Sequence, residues 1–130
     1  MTRARFVSGI REVGAAQWNA LAGRDHPFLR HEYLCALEDS GSVGADSGWE
    51  PHHLLLHDGA RLVGAMPCYR KYHSYGEYVF DWSWAQAYHR HGLAYYPKAV
   101  VAVPFTPVPG TRLLAIDDAA RQSLLSALEA

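Results

Sequence analysis

Between Tyr69 and Tyr96 the chain carries seven Tyr, two Trp, one Phe and three His, much of the 8 Tyr, 4 Trp and 8 His in the whole sequence. Such side chains join a flat apolar face to a polar tip, which suits a groove that stacks a sugar or a peptide. Two carboxylates, Glu77 and Asp81, stand in this run beside His73, Tyr75, Trp82, Trp84 and Tyr88. A carboxylate in that setting can take the proton of an attacking amine, which aminolysis of an ester or thioester requires. A plainer assignment makes Asp81 a helix cap, leaves Glu77 in solvent and sends Trp82 or Trp84 into the core.

Other chemistries find less support. His89-Arg-His91 falls in the last turn of an expected helix, where cations complement the dipole. His53 and His57 share one face of an expected strand but lie about 13 Å apart by strand rise, too far for one ion, so no metal is expected. Cys35 and Cys68 read as core cysteines on a helix and a strand, since a reactive thiolate needs a cationic and partly exposed setting. Gly41-Ser-Val-Gly44 is not followed by Gly-Lys-Ser/Thr, so it is no phosphate loop, and no Gly-x-Ser-x-Gly elbow occurs. Arg70-Lys71 could meet one phosphate, or it is a solvated strand end.

The elements that must position these residues follow from pattern and punctuation. Arg5 to Ile10 reads as a strand, and Ala15, Trp18, Leu21 and Ala22 recur at helical spacing before Gly23. A second helix is expected from His26-Pro27, with Leu29, Tyr33 and Leu37 on one face, ending at Ser40-Gly41. After a Gly-, Ser- and Asp-rich loop, Asp58-Gly59 joins two strands, His52 to His57 and Ala60 to Tyr69, with a bulge or sheet edge at Pro67. Tyr75 to Phe80 could form a short strand. Asp81 would cap a helix that pairs Trp84 with Tyr88 and closes at Gly92. Ala99 to Phe105 reads as a buried strand, Thr111 to Ile116 as the last strand. Asp117-Asp118 open a final helix with Ala120, Leu124 and Leu128 on one face. The order is that of an α+β domain.

Composition bounds the answer. The 130 residues are 49% hydrophobic and 19% charged, with a net charge of -1, which fits one folded domain and gives no footprint for DNA. No apolar run nears the ~20 residues of a membrane span. Two cysteines make no disulfide framework, so a cytoplasmic location is expected.

Two blocks, His73-Ser-Tyr-Gly-Glu-Tyr-Val-Phe-Asp-Trp82 and Pro104-Phe-Thr-Pro-Val-Pro-Gly-Thr-Arg-Leu-Leu114, resemble the FemAB-like branch of the GNAT acyltransferase superfamily, a group labelled for peptidoglycan biosynthesis or recognition. Phe28-Leu-Arg-His-Glu-Tyr-Leu34, Gly48-Trp-Glu-Pro51, Leu62-Val-Gly-Ala65 and Tyr95-Tyr-Pro-Lys98 support it. The resemblance implies a GNAT-like central mixed sheet flanked by helices, and a single domain over 1–130 forming the N-terminal half of a longer, two-half protein. The final helix, which reaches Ala130 without a stop signal, agrees with that expectation. The implied function is acyl or aminoacyl transfer onto a peptidoglycan-precursor-like acceptor, with acyl-CoA or aminoacyl-tRNA as donor. Glu77 and Asp81 would then be catalytic, and His73, Tyr75, Trp82, Trp84, Tyr88 and Arg112 would line the acceptor groove. The Arg/Gln-x-x-Gly-x-Gly/Ala turn of CoA-binding relatives is missing, since Arg70-Lys-Tyr-His-Ser-Tyr-Gly76 stands in its place. No cofactor is therefore expected in this chain, and the alternative is a non-catalytic binding or structural module that recognises a peptide or sugar or packs on its C-terminal sibling.

Overall fold

The computed structural model describes residues 2–73, 82–105 and 111–129. Its strands are β1 (Thr2–Val7), β2 (Trp49–Pro51), β3 (His53–Asp58), β4 (Arg61–Met66), β5 (Cys68–Lys71), β6 (Lys98–Val101) and β7 (Leu114–Ala115). The α-helices are α1 (Ala15–Ala22), α2 (His31–Asp39), α3 (Trp82–Arg90) and α4 (Asp118–Glu129). This is a mixed α+β architecture with two antiparallel sheets, one ordered β1-β3-β4-β7 and the other β2-β5-β6.

A single long hairpin runs through both sheets. Gly59, with φ 61, opens the two-residue loop between β3 and β4, the pattern of a II′ turn. Trp49 faces Lys71 in one sheet and Leu54 faces Met66 in the other, which is the same register continued. The expected strand from Ala60 to Tyr69 is thus divided at Pro67, which has no N–H to give to the ladder. Pairing resumes at once, where His52 N–H donates to Cys68 O at 2.9 Å.

The four-stranded sheet is covered on both faces, so its central strands read as unbroken apolar runs. Val7, Leu55, Leu62, Ala65 and Leu114 meet Trp18, Ala22, Leu29 and Leu34 from the α1–α2 side. Leu54, Leu56, Val63 and Met66 meet Ala120 and Leu124 of α4 on the other face. Each fully buried Leu contributes about 1.5–3 kcal/mol. An extra residue, Val63, bulges β4 between the pairs Leu56–Gly64 and His57–Leu62. Gly64 then faces α4, where a Cβ would come within 3.1 Å of Leu124 Cδ1. Asp117 caps α4 by accepting the N–H of Ala120 at 2.8 Å, as its place before the apolar stripe predicts.

Several expected boundaries move for tertiary reasons. The first strand ends at Val7 instead of Ile10, because Ile10 starts a 3-10 turn, Ile10–Glu12, held by α2. Glu38 accepts the Ile10 N–H at 3.0 and 3.1 Å, and His31 Nε2–H donates to Ile10 O and Val13 O at 2.8 and 2.9 Å. The second helix starts at His31, after a 3-10 turn at Pro27–Leu29. Trp18 Nε1–H takes Leu29 O at 2.8 Å and Asn19 Oδ1 takes His31 N–H at 2.8 Å, which separates the two segments. Its buried stripe is accordingly His31 and Leu34, while Tyr33 and Leu37 are half-buried. The strand expected to be buried from Ala99 to Phe105 is the half-exposed β6, and that from Thr111 to Ile116 shortens to β7. The strand expected from Tyr75 to Phe80 lies outside the described residues.

Candidate functional site: an exposed aromatic shelf on helix α3

Helix α3 is closed by its own sequence. Gly92, with φ 71, donates its N–H to His89 O at 3.0 Å, and Leu93 N–H reaches back to Tyr88 O at 2.8 Å. This pair of bonds is a Schellman motif, and it turns the chain back along the helix. Tyr95 consequently meets Tyr88 edge-to-face at 5.0 Å, and Tyr96 meets Tyr95 at 5.1 Å. Lys98 Nζ lies 5.5 Å from the Tyr95 ring and 5.8 Å from the Tyr96 ring, within cation–π range.

The shelf faces water. Trp84 is 67% exposed, Leu93 59% and Tyr88 40%, so Trp84 does not fill core. Beside them runs a groove of about 520 Å³ whose lining includes Gln86, His89, Arg90, Leu93, Tyr95 and Tyr96. It offers flat apolar walls, one guanidinium, one imidazole and one amide. That combination suits a ligand with apolar faces and hydroxyl, amide or carboxylate groups.

The sequence-predicted residues do not all gather here. Trp84 and Tyr88 stand one turn apart on α3. His73 is set against a different turn, where its Nε2–H donates to Ser47 O at 3.0 Å and its ring occupies the space a Cβ on Gly48 would need. Arg112 is half-exposed, and its guanidinium donates to the carbonyl of Thr111 at 3.3 Å in its own segment. Trp82 opens α3. Tyr75, Glu77 and Asp81 lie outside the described residues.

Other candidate groups acquire definite settings. Cys68 is buried and its thiol is pushed up to about 11 by loss of solvent, which disqualifies it as a nucleophile at neutral pH. Burial also raises the Cys35 thiol. Arg70 and Lys71 part company across the strand: Arg70 is exposed and pairs with Glu50 at 3.8 Å, whereas Lys71 is fully buried with Nζ 4.0 Å over the Trp49 ring. A solvated strand end is therefore correct for Arg70 alone. His52 stacks on Phe6 at 4.1 Å, and its pKa is lowered by burial first and then by Arg70. Among the described residues no three His, Cys, Asp or Glu side chains gather as a metal site.

Sequence reasoning missed a buried polar chain at the sheet junction. His53 Nδ1 accepts the Cys68 N–H at 3.2 Å, so the ring proton sits on Nε2, which donates to Glu38 Oε2 at 3.1 Å. The available signal was Glu38 itself, a charged residue on the stripe that runs His31, Leu34, Glu38.

A family model, FemAB_like, described as peptidoglycan biosynthesis/recognition, matches residues 9–130, and the chain belongs to that family. No curated protein and no solved structure matches the chain. No helix among the described residues is long and apolar enough to cross a membrane.

Proposed function

We propose that the chain is the N-terminal, GNAT-like part of a FemAB-like acyl- or aminoacyl-transferase and supplies the groove for a peptidoglycan-precursor-like acceptor. The observation that carries this reading is the exposed shelf of Trp84, Tyr88 and Leu93 beside the Tyr95–Tyr96 groove. Solvent exposure of three large apolar side chains in one short segment is costly unless a ligand or partner covers them. Sugar rings stack on the aromatic faces, and Arg90 and His89 answer the carboxylates and amides of a peptide stem.

Transfer belongs to the longer protein, in which a C-terminal half brings the acyl-CoA or aminoacyl-tRNA donor, in the cytoplasm where such donors occur. Glu77 or Asp81 then serves as the base for the attacking amine. The family label supports the acceptor class. The same groove also serves a module that recognises the acceptor and transfers nothing. Turnover by the full-length protein carrying Glu77→Gln and Asp81→Asn separates these two readings.

The direct test is an amide chemical-shift titration of the chain with a muropeptide carrying its peptide stem. Saturable shifts should cluster on α3 and residues 92–96. Trp84→Ala should weaken binding about tenfold, the loss of one stacked ring, while changing stability by less than ~0.5 kcal/mol, as an exposed side chain allows. Equal binding by Trp84→Ala, or no saturable shift at millimolar ligand, would sink the reading.

A further inference from the structure

Strands β1 and β3 carry a second group of side chains that the aromatic shelf does not use. In the β1–β3 ladder Arg3 stands directly opposite His57, and Arg5 follows two residues along. Residues two apart in a strand share a face, so both guanidiniums lie on the side of the ladder that His57 occupies. Together with Ala4 and Gly59 they line a hollow of about 280 Å³ at the β3–β4 hairpin, just under the usual range for drug-sized ligands and large enough for a phosphate group.

Two features leave this hollow electrostatically incomplete. Arg3 and Arg5, neighbours on one face of β1, repel one another unless an anion stands between them. Among the described residues neither Arg3 nor Arg5 has an ion pair. Glu12, whose pKa Arg5 helps to lower, makes no ion pair with it: its carboxylate is turned onto Ser8, accepting the N–H and hydroxyl at 2.8 and 2.9 Å. Asp58 is next in β3 and alternates to the opposite face. The second feature is independent of charge. His57 Nε2 is shut off from solvent and has no hydrogen-bond partner, a cost of about 1–3 kcal/mol for a buried polar atom. The pKa of His57 is lowered, by burial first and then by Arg5 and Arg3.

We propose that Arg3, Arg5 and His57 form a site for the phosphate group of a small phosphoester or diphosphate. Two guanidinium forks and one imidazole match a tetrahedral dianion, which takes several N–H donors at once. A bound dianion neutralises the repulsion between the two guanidiniums of β1, and with the exposed arginines turned onto it, it also supplies the partner that the imidazole lacks. Gly59, with φ 61 and no side chain, leaves the mouth of the hollow open for the rest of the ligand. The hollow shares no lining residue with the groove beside α3, so the two sites are separate.

The test is an NMR titration of the chain with inorganic phosphate, pyrophosphate and acetate, following the His57 imidazole and the Gly59 amide. Phosphate and pyrophosphate should give saturable shifts and raise the His57 titration midpoint. Arg3→Gln or Arg5→Gln should each weaken binding about tenfold, the loss of a charge-assisted hydrogen bond. Arg24→Gln, which removes an equal charge at an exposed position elsewhere, should leave it unchanged. The proposal is overturned if no phosphate saturates the site at millimolar concentration, if acetate binds as tightly as phosphate, or if Arg24→Gln weakens binding as much as Arg3→Gln. Native amide spectra of all three variants keep these outcomes clear of misfolding.

Discussion

Removing Glu38 should loosen the junction between the two sheets and α2. Its carboxylate accepts Ile10 N–H at 3.0 and 3.1 Å and His53 Nε2–H at 3.1 Å. Glu38→Ala leaves both donors unpaired. The His53 side chain is 0% exposed, so water cannot replace the lost acceptor there, whereas Glu38 is 16% exposed and water can reach part of the Ile10 site. At about 1–3 kcal/mol for each stranded donor, the expected loss is about 2–5 kcal/mol. That is a large part of the ~5–15 kcal/mol that holds an ordinary domain. Glu38→Gln keeps the shape and one carbonyl acceptor, and should cost about 1–2 kcal/mol. Urea unfolding followed by circular dichroism measures both, with the slope checked for constancy. A double-mutant cycle with His53→Ala should show coupling of at least ~1 kcal/mol. A loss below ~0.5 kcal/mol for Glu38→Ala, or strict additivity in the cycle, refutes the idea that this polar chain fastens the sheet junction.

Three further outcomes follow from single settings. His52 and His57 both have folded-state pKa values below the ordinary ~6.5, so the unfolded chain binds more protons as pH falls through that value. Their contribution is therefore a loss of stability on acidification from pH 7 towards 5, and urea midpoints of a His52→Gln/His57→Gln variant should fall less over that range than those of the parent. With its thiol at about 11, Cys68 is ionised in roughly one molecule per thousand at pH 8, and native protein should resist iodoacetamide there until urea is added; rapid labelling seen by mass spectrometry contradicts this. Gly48→Ala puts a side chain at φ 78 and into the His73 ring, and should cost about 2–3 kcal/mol by urea unfolding; the cost should be smaller in a His73→Ala background.

Much of the fold was legible because its signals act over a few residues. Gly23 and Gly92 stop helices by taking positive φ, Asp117 caps α4 through a hydrogen bond three residues long, and Gly59 sets the hairpin. The aromatic run was equally plain, and so was the family, which rests on blocks spread along the chain. The aromatic shelf was legible only in part, since aromatic density marks a surface without saying which rings share it.

Tertiary structure decided what depends on distant partners. Whether Trp84 faces water, whether Lys71 turns inward under Trp49 while Arg70 turns outward, and whether His73 meets a ligand or the Ser47–Gly48 turn are set by neighbours in space. The Glu38–His53 pair spans 15 residues and the Glu38–Ile10 bond spans 28. Helical and strand periodicity state that a residue lies on a face. Only the packed chain states what that face meets, because a carboxylate largely withdrawn from water is tolerable only where donors from other elements converge on it.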